Sequence, residues 1–314
     1  MAKAQFDVVG VGTAVVDYLG VVPHYPPPDS QLQLQSLQRQ GGGNASTTLA
    51  TLAVLGASTC FLGKLGDDEL GRFALTSLRD TGVDVSRVVI EAGASAGFAF
   101  IIVDADSGQR TILWSNQGKP QLSSAELDSE AILACNLLHL DEYEMEAATE
   151  AARIAATSER KINVMLDAES GLSGIETLLP LVDTVIASHD FAVDYTGVSG
   201  NDYQAACTRM YDSLPAATVI VTAGERGCYC VTQHGGFHQP AFMVEPVDTT
   251  GCGDVFRGAL WRRNLARRRV IVVQFKHQRN ERLGILLFRP SYVNRTSDWT
   301  PLRLDAFDEH KFCV

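Results

Sequence analysis

Asp248-Thr249-Thr250-Gly251-Cys252-Gly253-Asp254 stands immediately ahead of Val255-Phe256-Arg257-Gly258-Ala259-Leu260. The second run reads as the opening of a helix. Glycines let backbone N–H groups approach an anion closely. A helix N-terminus adds unpaired N–H donors and a partial positive charge. Asp254 beside such a hole is placed to take a proton from a hydroxyl. The N–H groups of Gly251, Cys252 and Gly253 would meanwhile stabilise charge on the group being transferred. This local chemistry suggests phosphoryl transfer to an alcohol. A plain turn, with Asp254 as a first-turn helix acid, fits the same residues.

A second glycine cluster lies about 200 residues upstream. Gly41-Gly42-Gly43-Asn44-Ala45-Ser46-Thr47-Thr48 precedes Leu49, Leu52, Ala53 and Leu55. The apolar residues have helical spacing, and Gly56 closes the segment as a C-cap would. Bare glycine backbone lets a ligand lie against it. Asn44 offers a donor and an acceptor, which suits sugar hydroxyls. The plainer reading is a flexible loop with Asn44 as the N-cap.

Between the clusters, strand and helix patterns alternate from Phe6 to about Leu260. Ala74–Leu78 and Thr149–Ala156 read as helices. Residues 163–167 and 184–187 read as buried parallel strands. Such alternation predicts a doubly wound α/β sheet, mostly parallel and flanked by helices. Asp141 and Asp167 fall at strand C-terminal ends, where open α/β sheets bind ligands. Two segments break the alternation. Within residues 12–40, Gln31-Leu32-Gln33-Leu34-Gln35 alternates as a half-exposed strand does, after Tyr25-Pro26-Pro27-Pro28. Within residues 94–116, two strand-like runs flank a turn at 104–108, a hairpin signal.

Taken together, these features resemble the ribokinase-like, or PfkB, family of carbohydrate kinases. The resemblance rests on Gly42-Gly43-Asn44 with its small-residue helix, and on Asp248-Thr249-Thr250-Gly251-x-Gly253-Asp254 with Gly258-Ala259. It also rests on Asp17 after the first strand (Phe6–Gly10), on Gly63-Lys64-Leu65-Gly66-Asp67-Asp68, and on Val219–Thr222-x-Gly224-x-x-Gly227. It covers roughly residues 5–260.

The resemblance implies a ribokinase-like kinase domain over residues 1–260, with a small β lid built from the segments near 12–40 and 94–116. It implies ATP as phosphoryl donor, Mg²⁺ on its phosphates, and a monovalent cation such as K⁺ in some members. Asp17, Gly42, Gly43 and Asn44 would hold the sugar, Thr222, Gly224, Gly227 and Thr249 the nucleotide, and Asp254 would be the general base. A nucleoside kinase of the same fold is an alternative. The lid can serve as a homodimer interface in such proteins.

The chain departs from the family pattern in three places. An Asn-x-x-Glu motif expected near residue 187 is replaced by Ser188-His189-Asp190-Phe191, so the metal ligands are unknown. Cys252 and Trp261 stand where smaller or aliphatic residues are usual. Residues 261–314 lack the expected alanine-rich helix, turn and second helix. That tail marks a composition break: residues 257–314 hold 13 of the 26 Lys+Arg against five acids, while residues 1–256 hold 13 basic and 32 acidic residues. A shifted reading frame, a divergent C-terminus and a basic arm for RNA or acidic lipid all fit it. A damaged tail would leave a sugar-binding relic with impaired catalysis.

Composition bounds the remaining classes. The 314 residues are 46% hydrophobic and 20% charged, enough for a large buried core. A formal net charge of −11 disfavours nucleic acid or an anionic membrane as partner. Neither a membrane-length apolar run nor a signal segment is present, so a soluble cytoplasmic protein is expected. The seven cysteines form no CxxC pair, so reduced and mostly buried thiols are expected. His139 and His189 lack metal-ligand spacing. Gly10-Val11-Gly12-Thr13-Ala14-Val15 mimics a dinucleotide fingerprint but lacks the third glycine and a strand-end acid. Gly56 to Gly63-Lys64 is spaced too widely for a P-loop, and Leu65 stands where Ser or Thr is needed.

Overall fold

The computed structural model describes residues 4–241, 243, 249–266, 274–276, 283–285, 287–290 and 299–302. In chain order these give β1 Phe6–Val11, β2 Val15–Val22, β3 Ser36–Gly42, α1 Asn44–Val54, β4 Thr59–Leu62, β5 Lys64–Gly66, α2 Glu69–Asp80 and β6 Val89–Glu91. Then come β7 Phe98–Asp104, β8 Arg110–Ser115, α3 Ser129–Leu133, β9 Cys135–Asp141, α4 Met145–Ala156, β10 Asn163–Ala168, α5 Ile175–Leu178 and β11 Thr184–Ser188. The series continues with α6 His189–Thr196, α7 Tyr203–Ser213, β12 Thr218–Thr222, β13 Cys228–Thr232, β14 Gly235–Gln239 and α8 Cys252–Ala266. Four short strands follow: β15 Gln274–Lys276, β16 Leu283–Ile285, β17 Leu287–Pro290 and β18 Trp299–Leu302.

The chain divides into two compact units. One unit holds an eight-stranded sheet in the order β14-β13-β12-β11-β10-β9-β1-β4. Its strands run parallel from β4 to β12, and β13 and β14 are antiparallel. The parallel strands are near-continuous apolar runs because both faces are covered, and Leu137, Leu138, Leu140, Val185 and Val219 have no exposed surface. In α4, Ala147, Ala148, Ala151, Ala152 and Ala155 form one buried stripe at helical spacing. These small side chains let the helix lie close to β9 and β1. Helix α6 starts where the Ser188 hydroxyl accepts from the Phe191 N–H at 3.0 Å, an N-cap.

The second unit holds a four-stranded sheet in the order β3-β2-β7-β8, with α1, α2 and α8. β2 pairs parallel with β7 and antiparallel with β3, and β7 and β8 form the expected hairpin. One sheet face buries Leu19, Ala99, Ile101 and Val103. The other leaves Leu37, Phe98 and Leu113 in solvent.

One strand assignment needs correction. The alternating stretch Gln31–Gln35 is not a strand; β3 begins at Ser36 and carries Gly41 and Gly42 at its end. Alternation supplies a suitable face but not a partner. β2 ends at Val22, its last ladder pair with β3 is Val21 with Ser36, and only the Gln35 N–H reaches further, to Val21 O. Residues 31–34 lie beyond the ladder. The other elements fall within a few residues of expectation: Ala74–Leu78 lies inside α2, and the runs at 163–167 and 184–187 are β10 and β11. Asp248 and most of the tail beyond Ala266 lie outside the described residues.

Candidate active site

In the unit that carries the four-stranded sheet, the two glycine clusters are joined by a helix pair. α1 grows directly out of β3 through Gly43, whose φ of 103° is a conformation that only glycine adopts readily. Gly43 is therefore the N-cap, and Asn44 is the first helical residue rather than the cap. The Ser46 hydroxyl donates back to Gly42 O at 2.6 Å, tying the helix to the strand end. α8 packs on α1 at Gly258. A methyl group there would sit 2.9 Å from Thr48 O and from the Thr51 side chain, so the missing side chain is what lets the helices close. The Thr48 hydroxyl adds a 3.3 Å contact to Asp254 O. The small residues of α1 are thus a docking face for the helix that carries Asp254.

Asp254 sits in the first turn of α8. Gly251, at φ 71°, makes the turn that starts the helix. Cys252 N–H donates to Thr249 O at a long 3.3 Å, and Val255 N–H closes the first turn to Gly251 O at 3.0 Å. Helix geometry gives the first four N–H groups no intrahelical acceptor. The Cys252 donor is already engaged in the turn, so it is a weaker member of the expected anion hole. The Thr249 hydroxyl accepts from Arg110 of β8 at 2.8 Å.

Sequence reading missed Arg257. Its side chain is 4% exposed, and its Nη1 lies 2.9 Å from Asp254 Oδ1. The same nitrogen lies 2.7 Å from where a methyl group on Gly253 would be. The clue was present in the i,i+3 spacing of acid and base on one helix face, but burial of the pair was not legible.

Asp17 points from β2, beside Gln40 of β3 and Ala99 of β7. It is buried, and desolvation pushes its carboxyl up to about 6. A methyl group on Gly42 would overlap its Cγ and both carboxylate oxygens. Gly42 is therefore glycine because the Asp17 carboxylate occupies the space a side chain would take. A small cavity next to Gly41 and Gly42 is lined by Ser46, Thr47, Ser77 and Thr81.

The remaining predicted residues belong to the eight-stranded unit. Thr222 ends β12 and donates to Ala187 O at 3.2 Å. Gly224 (φ 54°) and Gly227 (φ 86°) shape the turn that follows, and a side chain on Gly227 would run into Gln239 O and Ala241 N. Asp141 is fully buried and accepts from Thr13 N–H at 2.8 Å and Tyr143 N–H at 3.0 Å. Gly12 packs directly under its carboxylate. The strand order reverses here, because β1 is flanked by β4 and β9; the acid holds the two strand ends together at the switch point. His139 is wholly buried on β9. Among the described residues six cysteines are unbridged and four of them buried, with Cys228 and Cys252 partly exposed. Among the described residues no group of three or more His, Cys, Asp or Glu could hold a metal ion, and no helix is long and apolar enough to cross a membrane.

Comparison with known proteins agrees with this architecture. The family model described as pfkB family carbohydrate kinase matches residues 5–270. Fructokinase-1 of Oryza sativa subsp. japonica is 28% identical over 278 residues, covering 84% of each chain. The ribokinase of Staphylococcus aureus (strain COL) is 27% identical over 258 residues, covering 80% of this chain and 84% of its own. Among solved structures, the ribokinase of Giardia lamblia superposes with a TM-score of 0.72 at 20% identity, covering 85% of this chain and 84% of that one; at that identity it speaks for the fold. The chain belongs to the pfkB family of carbohydrate kinases, which transfer a phosphoryl group from ATP to a sugar. The matched span passes the composition break by about ten residues.

Proposed function

We propose that the chain phosphorylates a free sugar hydroxyl at the N-terminus of α8, with Asp254 as general base. The observation that supports this reading is the joining of the two clusters: α1 leaves the Gly42-Gly43 strand end and docks on α8 through Gly258, one turn from Asp254. Asp17, Gly42, Gly43 and Asn44 are assigned to the sugar. A carboxylate poised near neutrality accepts hydrogen bonds from paired hydroxyls well. Asp254 takes the proton of the attacking hydroxyl, whose oxygen bonds to the γ-phosphorus as the bond to ADP breaks. The Gly251, Cys252 and Gly253 N–H groups and the helix start stabilise the phosphoryl charge. Thr222, Gly224, Gly227 and Thr249 are assigned to the nucleotide.

Mg²⁺ would supply positive charge to neutralise the ATP phosphates. Among the described residues no group of three or more His, Cys, Asp or Glu could hold such an ion, so no side chain is assigned to it or to a monovalent cation. The kinase domain is drawn at residues 1–260 with an atypical basic segment at 261–314, acting in the cytoplasm. The apolar face of the four-stranded sheet, with Leu37, Phe98 and Leu113 exposed, suits a homodimer.

The relatives named fructokinase and ribokinase direct the first assay to fructose and ribose, with adenosine as the nucleoside arm. ADP release from Mg·ATP should depend on one of the sugars. D254N should keep the fold and lower kcat by about 10²–10⁴. Turnover near wild type in D254N would remove Asp254 as base. Silence of folded wild-type protein on every acceptor would favour a sugar-binding relic with an impaired tail.

A further inference from the structure

We infer that Arg257 is a positioning residue that fixes the Asp254 carboxylate at the mouth of the anion hole. The inference rests on the reading of Asp254 as base. Three observations carry it. The Arg257 side chain is 4% exposed and its Nη1 is 2.9 Å from Asp254 Oδ1. The same nitrogen lies directly over Gly253, where a methyl group would approach to 2.7 Å. Acid and guanidinium sit one turn apart at the start of α8.

A buried guanidinium is expensive to desolvate and is kept where its pairing does something that a packed apolar residue would not. An aspartate in a first helical turn turns about two torsions, and only some orientations bring an oxygen to a substrate hydroxyl. The ion pair selects one orientation. It also places a fixed positive charge beside Gly253, where the transferring group gathers negative charge. A side chain at 253 would make the guanidinium shift as well as narrow the hole. The guanidinium favours the ionised carboxylate, which is the form that accepts a proton.

α1, the helix packed on α8, carries no ionisable side chain in Asn44–Val54. Cys252 is the neighbouring thiol on α8 itself, and Arg110 reaches Thr249 rather than the acid. Asp17 titrates in the same unit, but its contribution is common to the variants compared below.

The test uses the full chain and its preferred sugar, with R257M, R257K and D254N. R257M should lower kcat about 10–100-fold while KM for sugar and ATP changes less than about 3-fold, as expected when the loss falls on the chemical step and not on ground-state binding. Its acid limb of kcat/KM should move to higher pH, because the carboxylate loses the charge that kept it ionised. R257K keeps the charge but not the forked geometry. It should restore the acid limb and only part of kcat. An unshifted acid limb in R257M, or a loss that falls on KM alone, overturns the inference. If R257M does not fold, R257K decides: kcat and KM both at wild-type values overturn it. D254N separates the two readings. An inactive D254N with an unperturbed R257M refutes the positioning role and leaves the base in place; an active D254N refutes both.

Discussion

Substituting Asp17 by Asn should stabilise the protein and impair it. Burial raises the Asp17 carboxyl from its ordinary value near 3.8 to about 6. The folded state therefore holds this proton more tightly than the unfolded chain does. Stability contributed by the group falls as pH rises through the window from about 4 to about 6, and the penalty is fully present above it. Converted at about 1.4 kcal/mol per tenfold change, the ionised carboxylate costs roughly 3 kcal/mol at pH 8. Some of that gain in D17N is returned if the new amide is incompletely hydrogen-bonded, a loss of about 1 kcal/mol. The net expectation is a rise in Tm of several degrees at pH 8, at about 2–4 °C per kcal/mol. Towards pH 4 and below the gain should disappear, because Asp17 is then neutral in both states, which leaves only the cost of the amide. Differential scanning calorimetry of both proteins from pH 4 to 8 measures it. A difference that stays constant with pH, or a D17N less stable at pH 8, refutes the desolvation argument. The same variant should raise KM for the sugar at least tenfold if the carboxylate holds substrate hydroxyls. A gain in stability with a loss of function is what a binding residue held in a costly state produces.

Gly42→Ala should push the Asp17 carboxylate aside, raising sugar KM with little change in KM for ATP; steady-state kinetics in both substrates would show it, and unchanged sugar KM would contradict the packing described. Leu113→Lys places a charge on the exposed apolar face of the four-stranded sheet. Light scattering should show a dimer in the wild type and a monomer in the variant, whereas a monomeric wild type removes the proposed interface.

Several features were legible because they are local. The parallel strands announce themselves as apolar runs, and α4 and α2 by their periodicity. The turn at Gly251 and the helix start carrying Asp254 follow from glycine conformation and helix ends within four residues of each other. The strand at Ser36–Gly42 was not legible. Gln31–Gln35 has the better alternation, yet pairing goes to the segment that faces β2, and the ladder ends before the better pattern begins. Gly258 was visible as a glycine, but its reason, the backbone of Thr48 against α8, lies 210 residues away.

The amino-acid sequence by itself determined the α/β class, the order of elements and the chemistry available at each glycine cluster, since all of these depend on neighbours along the chain. Tertiary structure decided which groups share a small volume. It set the Asp17 carboxylate in the space left by Gly42, buried Arg257 against Asp254, and closed α1 on α8. Desolvation and ion pairing are properties of what surrounds a group in three dimensions, so the raised Asp17 carboxyl and the Asp254 partner appear only once the chain has folded.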